Sequence, residues 1–204
     1  LSYLAFLSLT LGIQAARDPM RLTHGPMLGN PASDSVRVWG RTSDPGEFSV
    51  RYGTVEGKLD QVSEPTTTRI SNDNTGYAIL RNLKPDQTYH YQIHIKDRPH
   101  GLPGSFLTLP NAEYTRNAEH NPKGLFNFRF QIGSCANQNP IHGNGHRAKT
   151  YENLNRDWAH KTNFHIMNGD WLYEELREYP VEAWRLRAGI DALPPVVNLM
   201  PTVV

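Results

Sequence analysis

Leu83-Lys84-Pro85-Asp86-Gln87-Thr88-Tyr89-His90-Tyr91-Gln92-Ile93-His94-Ile95 is the stretch that decides how the first half of the chain is read. From Tyr89 onward a large apolar side chain falls on every second residue: Tyr89, Tyr91, Ile93 and Ile95. Successive side chains of an extended backbone point to opposite faces, so this period predicts a strand with one face buried. Just before it, Lys84-Pro85-Asp86 supplies a turn, because proline presets its own φ and aspartate tolerates tight backbone geometry.

The same grammar extends outward from this stretch. Ser35 to Trp39 alternates Val36 and Val38 with polar neighbours, Phe48, Val50 and Tyr52 alternate in the next run, and Tyr77 and Ile79 open another that reaches Leu80. Asp44-Pro45-Gly46, Asn72-Asp73-Asn74-Thr75-Gly76 and Gly101 to Gly104 read as turns. Short strands with regular turns and no helical period predict a β-sandwich over residues 17–110. Within it, Leu83, the Pro85 turn and Tyr89 resemble the tyrosine corner of immunoglobulin-like and fibronectin type III domains, where the phenol bonds back to the preceding turn. Tyr89 is therefore expected to be structural, and Trp39 to fill the sandwich core.

The wider composition excludes some partners. The chain has 204 residues, with 21 Lys and Arg against 20 Asp and Glu, for a net charge of +1. A nearly neutral chain with no run of like charge is not built to hold nucleic acid by neutralising phosphates. Leu1 to Ile13 is apolar and uncharged, and Gln14-Ala15-Ala16 follows before Arg17-Asp18. That pattern fits the apolar centre and cleavage region of a secretory signal peptide, residues 1–16, and it falls short of the roughly 20 apolar residues of a spanning helix. An exported protein (periplasmic, cell-surface or secreted), with no transmembrane span after cleavage, is expected. A buried N-terminal element is the plainer alternative. With Cys135 the lone cysteine, no internal disulfide can form.

Residues 111–124 are polar, lack an apolar period and read as a linker. After them Leu125 to Ile132 reads as a strand, Tyr151 to Trp158 as a helix and Phe164 to Met167 as a second strand. Val181 to Leu193 reads as another helix and Leu199 to Val204 as a third strand. Strand, helix, strand, helix, strand predicts an α/β domain with parallel pairing over residues 125–204.

Two strand ends carry the chemistry: Gly133-Ser134-Cys135-Ala136-Asn137 and Asn168-Gly169-Asp170-Trp171-Leu172-Tyr173-Glu174. Ligands of α/β sheets gather beyond the carboxyl ends of the strands, so adjacent parallel strands would bring Cys135 and Asp170 together. Thiolate and carboxylate suit a transition ion, and a phenolate at Tyr173 would require a strongly Lewis-acidic one such as ferric iron. Taken singly, each residue has an ordinary alternative: a turn aspartate, a packed tyrosine, a small core cysteine. Taken together on consecutive strand ends they favour a metal site. His142 and His146 have the spacing of a helical ligand pair, but Gly143 and Gly145 argue against a helix, and both read as loop residues.

Three stretches resemble the alkaline phosphatase D (PhoD-like) family, which joins an immunoglobulin-like sandwich to a calcineurin-like metallophosphoesterase domain. They are Thr23-His24-Gly25-Pro26-Met27 through Arg41, Phe130-Gln131-Ile132-Gly133-Ser134-Cys135, and Asn168 to Glu174. The second and third, in this order and about 35 residues apart, are the specific part. The resemblance implies that Cys135 and Tyr173 ligate Fe3+ and that catalytic Asp170 bridges it to Ca2+. Asn137 is a candidate phosphate contact. The implied activity is hydrolysis of phosphate monoesters or diesters outside the cytoplasm; separately, a monomer is expected. Met200 to Val204 resembles the strand leading into a Trp-Asp-Asp-His motif that would supply further ligands, so this chain is expected to hold an incomplete site and to be inactive alone. The alternative from another class is an exported sandwich used for binding or adhesion, without catalysis.

Overall fold

A computed structural model describes residues 19–135, 153, 154, 156–158 and 161–169, and the backbone of residues 202 and 203. The first half is a run of antiparallel strands: β1 (Leu22–Gly29), β2 (Val36–Thr42), β3 (Gly46–Gly53), β4 (Gln61–Val62), β5 (Thr66–Thr68), β6 (Thr75–Leu80), β7 (Thr88–Ile95) and β8 (Arg98–Leu107). One layer is ordered β6-β2-β1; the other is β4-β3-β7-β8, with β5 also paired to β3. The inward positions are those of the two-residue period: Val36 and Val38 on β2, Phe48 and Val50 on β3, Tyr91 and Ile93 on β7, all buried in one cluster with Leu28 and Leu80. Burying a large apolar side chain is worth about 1.5–3 kcal/mol, so this cluster carries the sandwich.

The tyrosine corner is present. Tyr89 is 3% exposed, and its hydroxyl accepts a hydrogen bond from the backbone N–H of Lys84 at 3.0 Å. Its ring stacks on Phe106 with centroids 5.7 Å apart. The turn before β7 is thereby tied to the core.

Two details differ from the sequence reading. Trp39 is only half-buried and lies outside the core cluster. The alternation that turns Val36 and Val38 inward turns Trp39 outward, where it sits between Met27 of β1 and Tyr77 of β6 in the cross-strand register. Gly101 to Gly104 form no turn but lie within β8. The hairpin instead turns at Lys96-Asp97, both with positive φ (49° and 62°), so that Ile95 pairs with Arg98. A two-residue hairpin loop demands positive φ at both central positions, a signal that Gly-poor Lys-Asp conceals. The glycines serve packing. A Cβ on Gly104 would lie 2.7 Å from the Tyr91 ring.

The polar segment after β8 is organised by asparagines. Asn111 caps a short helix, α1 (Ala112–Thr115), its Oδ1 accepting from the Tyr114 N–H at 2.7 Å. Asn121 donates to the carbonyls of Thr115 and Leu125 and accepts from the Leu125 N–H, closing the loop.

Beyond it, β9 (Phe130–Gly133) and β10 (Phe164–Met167) pair in parallel, Phe164 opposite Phe130 and Met167 opposite Gly133. Thus β10 has the expected bounds, whereas β9 starts five residues later than the run from Leu125 suggests. Asn163 explains the start: its N–H donates to the Arg129 carbonyl at 2.8 Å and its Oδ1 accepts from the Arg129 N–H at 2.9 Å, opening the ladder there. The last strand, β11 (Thr202–Val203), pairs in parallel with β10 and touches β1 at Gly29. The Trp158 N–H donates to the Leu154 carbonyl at 3.0 Å, the helical bond expected of that segment. The expected helix over 181–193 lies outside the described residues. Among the described residues, no helix is long and apolar enough to cross a membrane.

Candidate metal centre

Parallel register places the ends of β9 and β10 side by side, and backbone hydrogen bonds carry the pairing past both strands. The Asn168 N–H donates to the Gly133 carbonyl at 2.7 Å, and the Cys135 N–H donates to the Gly169 carbonyl at 3.4 Å. Cys135 is therefore joined to the residue immediately before Asp170. Both chains turn at this point with left-handed backbone, Cys135 at φ 59° and Gly169 at φ 90°. At Gly169 the backbone angle alone favours glycine, since an added Cβ would meet no atom within 4 Å. For Cys135 the same region costs on the order of 1–3 kcal/mol, a strain of the kind that collects at functional sites. Cys135 is exposed and in no disulfide.

Of the candidate residues, Cys135 alone lies in the described structure. Asp170, Tyr173, Asn137, His142 and His146 lie outside the described residues. Among the described residues no group of three or more potential ligands forms. The described donor fits a metal role by its position at a strand end, and a cysteine sulfur suits a transition ion.

One polar residue beneath the strand ends does not stand out in the sequence. His165, on β10 opposite Gln131, is 5% exposed, and its Nε2 lies 2.9 Å from the Met167 sulfur. Neither its Nδ1 nor the Gln131 Oε1 has a hydrogen-bond partner among the described residues. Burial pushes the imidazole below its ordinary value, which keeps the ring neutral. The signal for it is a histidine on the buried side of an otherwise apolar four-residue strand.

An immunoglobulin-like sandwich that leads into parallel strands, with Cys135 and Gly169 joined at neighbouring strand ends, defines a sandwich-plus-α/β class of protein. The particular family follows from comparison: residues 8–110, half of the chain, match the model of the PhoD-like phosphatase N-terminal domain. The chain belongs to the PhoD-like phosphatase family. Its fold is similar to a solved structure of PhoD, at 16% identity and TM-score 0.62 over 87% of this chain, of which it spans 37%. A sensor domain of the anti-sigma factor RsgI4 from Pseudobacteroides cellulosolvens also matches, at 16% identity and TM-score 0.37 over 47% of this chain and 100% of its own. No curated protein matches.

Proposed function

We propose that this chain carries the sandwich domain and the first metal ligands of an extracytoplasmic phosphoesterase acting on phosphate monoesters or diesters. Its domains would be a signal peptide at 1–16, the sandwich at 17–110, a linker at 111–124 and the α/β part from 125. The observation that carries the reading is the hydrogen bond from the Cys135 N–H to the Gly169 carbonyl, which brings Cys135 beside the residue that precedes Asp170 in the sequence. Cys135 and Tyr173 would hold Fe3+, and Asp170 would be shared between it and Ca2+. Bound there, such ions supply Lewis acidity toward phosphoryl oxygens. The chain's own contribution is positional. The backbone turns at Gly169, just before Asp170 in the sequence, and Cys135 would offer its sulfur from the neighbouring strand. Asn137, two residues beyond, would donate its amide to a phosphate oxygen.

The test uses a chain extended by whatever its gene encodes past Val204. We expect iron by elemental analysis and hydrolysis of p-nitrophenyl phosphate or bis(p-nitrophenyl) phosphate, with Cys135→Ala and Tyr173→Phe each losing iron. Iron retained in both variants would sink the ligand assignment. The 204-residue chain alone is expected to be inactive. A second reading, a sandwich used for binding without catalysis, draws on the self-contained sandwich core. It requires both variants to leave the protein's behaviour unchanged.

A further inference from the structure

The sequence holds two Asn-Gly pairs, and one of them, Asn168-Gly169, lies among the described residues, just past the end of β10. Both of its residues are exposed. Among the described residues, neither the Asn168 side chain nor the Gly169 N–H makes a hydrogen bond. The Asn168 amide is therefore free to swing toward the backbone nitrogen that follows it. Gly169 carries no side chain to crowd that approach, and its φ of 90° is what favours glycine at this turn. The residue that suits the turn is thus also the one that leaves the nitrogen open. Asn163, just before β10 begins, shows the opposite arrangement. It is 5% exposed, its Oδ1 accepts from the Arg129 N–H at 2.9 Å, and the bulky Phe164 follows it.

We propose that Asn168-Gly169 is a self-modification site, whose conversion to isoaspartate unfastens Cys135 from Gly169. The Gly169 nitrogen attacks the side-chain carbonyl carbon of Asn168. The N–Cγ bond forms, the Cγ–Nδ2 bond breaks, and the departing amide nitrogen leaves as ammonia with the proton that the Gly169 nitrogen gives up. Water then adds to the resulting five-membered succinimide. Opening at one carbonyl yields aspartate at position 168, and opening at the other yields isoaspartate. Water is the only co-reactant, so the reaction stands whether or not the strand ends hold a metal. Isoaspartate routes the main chain through its Cβ, adding one carbon–carbon bond, about 1.5 Å, between position 168 and Gly169. The Asn168 N–H precedes the insertion, and its 2.7 Å bond to the Gly133 carbonyl can stay. The Gly169 carbonyl follows the insertion. Its bond from the Cys135 N–H is already long at 3.4 Å, against a usual value of about 2.9–3.0 Å, and cannot absorb the shift.

The test ages the 204-residue chain in neutral buffer at body temperature, followed by peptide mapping, isoaspartate-specific enzymatic methylation and amide hydrogen exchange. Isoaspartate is expected to accumulate at position 168 while Asn163 stays intact. In the converted protein the Cys135 amide should exchange roughly fivefold faster, the factor that one lost hydrogen bond implies. Asn168→Gln enlarges the ring that must close, and at this exposed position it should fold as before. It should block the modification and hold Cys135 exchange constant over the same period. Gly169→Ala should also slow the reaction but strains the turn, so Asn168→Gln is the deciding variant. An intact Asn168 after ageing, conversion of Asn163 at the same rate, or a Cys135 amide that exchanges alike before and after conversion would each overturn the proposal.

Discussion

Phe48 on β3 and Phe130 on β9 are both aromatic residues within a strand, yet Phe48 is 1% exposed and Phe130 51%. The difference lies in where each strand finds its partners. The sandwich draws all of its core from residues between Leu22 and Phe106, through antiparallel neighbours joined by short turns, so each strand's apolar face meets the opposite layer. The parallel pair β9–β10 meets a facing layer only through long crossover connections. Its outer face shows this: Phe128, Phe130 and Phe164 stack on one another at 5.6–6.1 Å, forming a ladder in which Phe128 and Phe130 stay about half exposed. Antiparallel architecture closes locally, whereas parallel architecture does not.

The sharpest way to break this contrast is a matched pair of truncations. Phe48→Ala should destabilise by about 3–5 kcal/mol, the cost of emptying a buried aromatic site, whereas Phe130→Ala should cost below about 1 kcal/mol, both read from urea unfolding. Equal losses would mean that the parallel strands own a second closed core. Next in size, Tyr89→Phe removes the bond to the Lys84 N–H and should cost about 1 kcal/mol, with the core ring retained. A loss indistinguishable from zero would demote the tyrosine corner to simple packing.

The smallest effect is a pH response on the β10 side. Burial lowers His165 below its ordinary value of about 6.5, so above that pH both folded and unfolded chains hold it neutral. As pH falls below about 6.5 the unfolded chain takes up the proton first, and stability is progressively lost. His100 in the sandwich, lowered by burial and then by His94 and Arg98, adds a loss of the same sign. Melting temperature should therefore drop between pH 7 and pH 5, and His165→Gln should shrink the drop without abolishing it. An unchanged drop in His165→Gln would place the whole response in the sandwich.

Much of the fold is legible in the order of the residues alone. The alternation in β2, β3 and β7, the corner at Tyr89 and the bounds of β10 follow from local patterns, because a strand's side-chain period is a property of consecutive residues. Trp39 is an exception by residue type only, since the same alternation, followed one residue further, already turns it outward. Glycines usually supply positive φ, so the sequence points to Gly101 to Gly104 for the hairpin, whereas Lys96-Asp97 make the turn without them. At the candidate centre, Cys135 and the Gly169-Asp170 turn stand out by residue type and by position after apolar strands. His165 does not, because one buried polar residue in an apolar strand leaves no periodic mark.

The sequence by itself determined the strand periods, the order of a sandwich and then parallel strands, and the two strand ends bearing a thiol and a carboxylate. Only the tertiary structure decided that the Cys135 N–H meets the Gly169 carbonyl and that His165 lies buried opposite Gln131. The reason is physical. A period is written in neighbouring residues, but register and burial depend on contacts between residues far apart in the chain, whose energies add only once the layers pack.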